Sequence, residues 1–251
     1  MQILISCAKD MTPAADAGTG LTTTPMFLEE AMQNASVMAG FSEEDLERIL
    51  KISPRIAAEN FDRYRKFNTG LCTQGPAVFS YTGIAYKHLK PWSWSEDDCI
   101  FANSHLWICS FLYGLLRPMD MISPYRLEGN IRLHENKTMF DFWKPLLTEA
   151  LIKSVENDGG TLIHLATEEM THLFDWTKVC EKVRVVEPKF YSESGNKKKV
   201  VTVHAKMCRG AMSSYIIRNR TGNPDDLSDF AYDGYEFKYT DGNEMYFFRT
   251  T

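Results

Sequence analysis

Residues 112–130 read Leu-Tyr-Gly-Leu-Leu-Arg-Pro-Met-Asp-Met-Ile-Ser-Pro-Tyr-Arg-Leu-Glu-Gly-Asn. The apolar run Trp107 to Leu112 leads into this stretch and reads as buried. Gly114, Pro118, Pro124 and Gly129 then interrupt any helix or strand, so an irregular segment is expected. Arg117, Asp120, Tyr125, Arg126 and Glu128 are packed among these breakers, where a plain surface loop would carry Ser, Asn and Lys. A stiff backbone bearing arginine and tyrosine suits a site that holds guanidinium groups in fixed directions. A buried Arg–Asp/Glu network bracing a long crossover would use the same residues.

Toward the N-terminus, Ile3-Leu4-Ile5 is a short continuous apolar run, as in a strand buried on both faces. Ser6-Cys7-Ala8-Lys9 follows at its C-terminal end, the edge of open α/β sheets where ligands usually sit, which makes Lys9 a binding candidate. Asp10 to Gly20 reads as a mobile loop. Pro25 to Met38 has helical character, and Ser42-Glu43-Glu44-Asp45 opens a helix with Leu46, Ile49 and Leu50 on one face. Ser53-Pro54 starts another, with Ile56, Ala57, Asn60, Phe61 and Tyr64 at helical spacing. Two helices joined by almost no loop resemble a helix-hairpin-helix unit, which offers the second helix's backbone N–H groups to a phosphate. Lys51, Arg55, Arg63 and Arg65 would flank it, although the hairpin glycines of such units are absent from Ile52-Ser53-Pro54. A packed pair of helices with solvated arginines is the plainer account.

Pro76 to Tyr81 reads as a strand and Lys87 to Trp94 as an aromatic loop whose Trp92 and Trp94 plug a core edge, with stacking on bases as the lesser alternative. Ser95-Glu96-Asp97-Asp98 opens a helix through His105. Beyond the central stretch, Thr138 caps a helix to about Val155 with a kink expected at Pro145, and Asn157 to Gly160 stops it. Thr161 to Ala166 is a strand with His164 as a satisfied core residue, and Glu168 sits at the next strand-to-helix junction. Val183 to Tyr191 and Lys199 to His204 suggest a hairpin across Ser194-Gly195-Asn196, and Asp241-Gly242-Asn243 turns a final one. After the Lys199–His204 strand, a helix is expected with Met212, Tyr215 and Ile216 inward. Lys206, Arg209, Arg218 and Arg220 have no acid between them, the clearest local excess of positive charge. Satisfying a helix C-terminus accounts for Arg218 and Arg220 but not for Lys206 and Arg209.

The chain has 251 residues, 44% of them hydrophobic, and a net charge of −5, which fits a globular protein and excludes one coated in positive charge. A nucleic-acid surface would have to be a local basic cleft. No run approaches the roughly 18 apolar residues of a membrane span, and no signal peptide is visible, so a cytoplasmic protein is expected. Six cysteines are scattered singly, with no Cys-x-x-Cys pair, which argues against structural zinc; no metal or cofactor is expected. Cys7 beside Lys9 and Cys208 beside Arg209 are candidates for a cation-favoured thiolate and hence for peroxide sensing. Strands and helices intersperse without a linker, so residues 1–251 are expected to form a single mixed α/β (α+β) domain with a mixed sheet flanked by helices.

The pattern L-Y-G-x-L-R-P-x-D-x-I-x-P-Y-R-L-E at residues 112–128 resembles the central signature of the bacterial YaaA family, the peroxide stress resistance proteins. Ile3 to Lys9, Leu21 to Pro25 and Ala205 to Arg220 resemble that family's opening strand, its L-T-T-T segment and its late K-x-x-R-G motif, in order along the whole chain. Asp10, Phe111 and Ser214 depart from the hydroxyl residue, glycine and arginine common at those positions in the family, and Arg218 stands where an acid is common. The resemblance implies an unusual fold with a helix-hairpin-helix-like element and a basic cleft, and a role in oxidative stress that includes limiting free iron. Nothing in these residues explains the iron effect.

Two functions are therefore expected. In the first, Lys9, Arg117, Arg126, Lys206, Arg209 and Arg218 neutralise phosphates of double-stranded or structured DNA without reading sequence. Tyr125 supplies stacking or a hydrogen bond there, and Lys51, Arg55 and Arg63 add a backbone contact. In the second, an enzyme acts on a nucleotide-like or phosphorylated small molecule held by Lys9 and Arg126, with Glu128 as general acid or base. The absence of a P-loop, a G-x-G-x-x-G motif or a Ser/His/Asp order ranks the enzyme second. A long basic groove would favour DNA; a closed pocket holding Lys9, Arg126 and Glu128 would favour the small molecule.

Overall fold

The computed structural model describes residues 1–12, 20–67, 69–194 and 197–250. The first half of the chain gives β1 (Gln2–Ser6), α1 (Leu28–Ala39), α2 (Glu43–Leu50), α3 (Pro54–Phe67), β2 (Gly75–Pro76), α4 (Ala77–Ser80), α5 (Ile84–Leu89), α6 (Glu96–His105), β3 (Leu106–Ser110), β4 (Gly114–Leu116) and β5 (Met121–Ile122). The second half gives α7 (Met139–Glu156), β6 (Thr161–His164), α8 (Glu168–Thr171), α9 (Trp176–Lys182), β7 (Arg184–Ser194), β8 (Lys197–Lys199), α10 (Thr202–Asn219), β9 (Ala231–Tyr232), β10 (Tyr235–Asp241) and β11 (Glu244–Thr250). Nine strands form one sheet in the order β4-β3-β1-β6-β7-β11-β10-β9, with β8 paired to β7. From β3 to β11 neighbouring strands are parallel, while β4, β8, β9 and β10 pair antiparallel. The fold is thus mixed α/β with helices against a large mixed sheet.

The continuous apolar run of β1 is explained by its place. Ile3, Leu4 and Ile5 are buried between β3 on one side and β6 on the other. Chain order reverses direction here: β3 is added to one flank of β1 and β6 to the opposite flank. That is the switch point at which open α/β sheets leave a crevice beyond their strand ends. The helix starts behave as their sequences predict. Ser42, Ser95 and Thr138 each accept the backbone N–H three residues on, and Asp98 returns the bond to Ser95 N, which completes a capping box. Pro145 lies inside α7, which continues through it.

Several local expectations are corrected. The central stretch is partly regular: β4 turns back on β3, and Met121–Ile122 pairs with Gly75–Pro76. Gly114 makes this possible, because at φ +75° an added Cβ would also meet Trp143 and Leu147 at 2.9 Å. In place of a strand over 76–81, Gly75–Pro76 form two strand residues and Ala77–Ser80 one helical turn, held as Ala77 N and Val78 N donate to the Asp120 and Pro118 carbonyls. Residues 84–89 are helical rather than loop, and Trp92 is 65% exposed while Trp94 is buried. Residues 199–204 are not a strand through His204, since α10 begins at Thr202. Ala205, Cys208, Met212 and Ile216 form a buried stripe along α10, and burial of that stripe outweighs the strand preference of the valines at 200, 201 and 203. Gly195 and Asn196 of the expected turn and residues 13–19 of the expected 10–20 loop lie outside the described residues.

Candidate functional site

A cavity of about 330 Å³ opens beyond the C-terminal ends of β1 and β6. Its walls are residues 5–10 after β1, the start of α5, the Tyr125–Glu128 segment, the β6–α8 junction, and the Lys206–Gly210 turn of α10. Two close packings bring these elements together. Ser6 Oγ accepts Thr167 N at 2.9 Å and lies 3.2 Å from Thr167 Oγ1, which joins the ends of β1 and β6. At Gly210 an added Cβ would sit 1.9 Å from the Ala85 carbonyl oxygen, so only glycine lets α10 approach α5 this closely.

The charged centre is Glu128. Lys9 Nζ lies 3.1 Å from its Oε2 and Arg126 Nε 3.0 Å from its Oε1. Glu128 and Arg126 are largely buried, at 15% and 17% side-chain exposure, whereas Lys9 is 64% exposed at the mouth. The Arg126 pair is not aligned as a hydrogen bond, which leaves Nε a buried donor without one. The carbonyl of Arg126 accepts Tyr64 Oη–H at 2.6 Å, fastening α3 to the cavity wall.

The remaining walls differ in charge. Lys206 and Arg209 lie one turn apart on α10, with no acidic oxygen within ion-pair distance among the described residues. Burial pushes the Arg209 pKa down while Glu187 counteracts it through space. Asp10 and Glu169 also line the cavity. The floor is apolar and neutral. Tyr125 is buried, with its hydroxyl 2.7 Å from Ser110 Oγ and 3.1 Å from Tyr81 Oη. Burial lifts the Tyr125 pKa far above the usual phenol value, so the network stays protonated. Its ring, 4% exposed, forms part of the cavity wall.

Cys7 lines the same floor. Burial, then the nearby Glu128 and Glu169 carboxylates, push its thiol up to about 12, and burial likewise pushes Cys208 up to about 12. Neither Lys9 nor Arg209 acts on the thiol beside it in sequence, and with desolvation the largest effect the thiolates that the sequence suggested are not favoured.

The other predicted residues are dispersed. Arg117 does not line the cavity; its guanidinium reaches Asp120 Oδ1 at 3.1 Å and the Thr24 carbonyl at 2.9 Å. Asp120, with no exposure, also accepts Thr23 Oγ1–H at 2.7 Å and Arg117 N at 2.7 Å, so this pair braces the crossover. Lys51 ends α2 in a left-handed conformation, Arg55 is exposed on α3, and Arg63 bonds Asn60 and Glu59. Arg218 is exposed near the far end of α10, about 18 Å along the axis from Lys206.

Glu169, rather than the flagged Glu168, faces the cavity, and Thr167 and Gly83 join it. Sequence could mark the strand-to-helix junction but not its rotational register. Phe111, singled out as a departure, forms a wall edge-on to Phe140 at 5.7 Å. Ser214 is buried inside α10. His164 is buried as expected but not satisfied, since its Nε2 has no partner among the described residues. No group of three or more His, Cys, Asp or Glu among the described residues is arranged to hold a metal ion. No helix among them is long and apolar enough to cross a membrane.

A largely parallel sheet with a charge-lined cavity at its switch point defines this as a mixed α/β protein with a candidate site at its strand ends. The pattern of the family described as peroxide stress protein YaaA matches residues 1–241. The chain is 48% identical over 239 residues to a UPF0246 protein of Bacteroides fragilis, covering 94% of this chain and 93% of the relative. It is 46% identical over 243 residues to a UPF0246 protein of Phocaeicola vulgatus, covering 94% of each. It is 32% identical over 247 residues to one of Clostridium beijerinckii, covering 97% and 95%. This chain belongs to the peroxide stress protein YaaA family, and its general role lies in the peroxide stress response.

Proposed function

We propose that, within the peroxide stress response, this protein binds a nucleotide-like or phosphorylated small molecule in the cavity at the ends of β1 and β6. One observation carries the reading: Lys9, Arg126, Glu128, Lys206 and Arg209 converge on a single cavity of about 330 Å³. That volume lies at the lower end for small-molecule sites, which combine apolar walls with a few placed polar groups. The cations outside it, Lys51, Arg55, Arg63, Arg117 and Arg218, do not extend the cavity into a groove. Asp10, Glu128 and Glu169 among the lining residues would oppose a continuous polyanion.

DNA binding without sequence readout is the second reading, and the Tyr64–Arg126 bond favours it. Through that contact the α2–α3 pair, with exposed Lys51 and Arg55, is fixed to the cavity wall. A strand crossing the pair could reach Arg126 and Lys9 together. Any effect on iron would be indirect under either reading.

Calorimetry with nucleoside monophosphates and anisotropy with labelled duplex and junction DNA, each across a salt series, separates the two. The cavity reading expects stoichiometric nucleotide binding with a shallow salt dependence that Arg126→Ala weakens. Contact with about four phosphates would instead give a log–log slope near −3.6. Duplex binding with such a slope and no nucleotide binding would overturn the cavity reading.

A further inference from the structure

The cavity lining carries charges of both signs on different elements. On α10, Lys206 and Arg209 project to the site, and on α8 Glu169 does so. None of the three has an ion-pair partner within 4.0 Å among the described residues, whereas Lys9 and Arg126 share Glu128. Glu128 and Glu169 both act electrostatically on the Cys7 thiol, so the two carboxylates approach the floor together. The Glu128 oxygens already face two cations, which leaves Asp10 and Glu169 as the lining carboxylates with no ion pair among the described residues, and Glu169 is the one carried on a helix.

An unpaired acid beside a cationic wall weakens the binding of a simple anion. It strengthens the binding of a ligand that carries an anion at one end and N–H donors at the other, because each lining charge then meets its complement. Resting on the small-molecule reading above, we infer that the ligand is a nucleoside monophosphate whose phosphate meets Lys206 and Arg209 and whose base turns an N–H donor edge to Glu169. Guanine fits that acid best, since its two parallel donors match the two oxygens of one carboxylate. Thr167 and Ser6 fix the strand ends beside α8, so Glu169 is presented from an ordered junction rather than a free loop.

The test is titration calorimetry at low salt with GMP, with purine riboside 5′-monophosphate, which has no donor on its base, and with guanosine. Wild type is expected to bind GMP roughly tenfold tighter than the donorless nucleotide, the size of one good charge-assisted hydrogen bond. Glu169→Ala should act with opposite signs, weakening GMP and tightening purine riboside monophosphate by removing a repulsive charge. Lys206→Ala should weaken both nucleotides alike and leave guanosine unchanged. Equal binding of the two nucleotides by wild type, or tightening of both by Glu169→Ala, overturns the inference while leaving the cavity as a phosphate site. Failure of wild type to bind either nucleotide overturns the inference and the cavity reading together.

Discussion

At single residues, the structure separates charges that the sequence presents as equivalent. Arg117 and Arg126 stand nine positions apart in one segment. Arg117 spends its guanidinium on a buried carboxylate, while Arg126 places its own beside a cavity. The same separation decides what Cys7 can do in a protein of the peroxide stress response. A thiol held at about 12 is protonated at neutral pH, and its thiolate fraction falls roughly thousandfold below that of a free cysteine. Sulfenic-acid trapping after brief peroxide treatment, read by peptide mass spectrometry, is expected to leave Cys7 unlabelled under conditions that oxidise a free thiol. Rapid labelling of Cys7 would show that its surroundings stabilise the anion after all.

Among the elements, α10 is the one on which the site depends, and its position rests on a missing side chain. Gly210→Ala would place a methyl group 1.9 Å from the Ala85 carbonyl oxygen and 3.0 Å from Leu89 N, both backbone atoms that cannot swing aside. Alanine normally gains about 1 kcal/mol over glycine inside a helix, whereas overpacking costs about 1–3 kcal/mol or more. With both backbone contacts this close the cost falls at the upper end, and a net loss of about 2 kcal/mol is expected from urea unfolding. Nucleotide affinity should fall as well, because Lys206 and Arg209 move with the helix. An unchanged or raised urea midpoint would mean that α5 yields without cost. By contrast, α3 is linked to the cavity wall by the bond of Tyr64 to the Arg126 carbonyl, while α2 and α3 bury Leu46, Leu50 and Ala57 in the core.

Across the whole molecule, β6, β7 and β11 are joined on one face by a charged cluster. His164 Nδ1 lies 3.6 Å from Glu187 Oε1, Lys189 pairs with Glu187, and Lys189 Nζ lies 3.2 Å from Glu244. The His164 imidazole and the Lys189 ammonium hold the Glu187 carboxyl down at about 2, below its ordinary 4.5. A depressed carboxyl contributes stability that is complete above its unfolded value and disappears as pH falls through the folded one. The contribution is therefore expected to fade between about pH 4.5 and 2 and to amount to at most about 3 kcal/mol. Glu187→Gln should flatten the acid limb of the stability profile in that window, as followed by urea unfolding at a series of pH values. An unaltered acid limb would place the acid sensitivity of the fold elsewhere.

Some of this was fixed by sequence alone. The central signature and the matching segments on either side of it identify the family, because uncommon residues in fixed register survive any rearrangement of the chain. The buried β1, the capped starts of α2, α6 and α7, and the mixed α/β class are also readable, since each rests on local periodicity or on a cap three residues long. Lys9, Arg126, Glu128, Lys206 and Arg209 are readable as candidates because they carry charge near breaks in structure. Only the tertiary structure decided that these five share one cavity while Arg117 braces a crossover and Arg218 lies elsewhere. It also decided that α10 starts at Thr202, that Glu169 and not Glu168 faces the site, and that Cys7 is neutral. The physical reason is common to all of these. Packing of α10 on α5 and of β6 beside β1 joins residues some 200 positions apart in sequence, and desolvation at that junction sets which groups keep their charge.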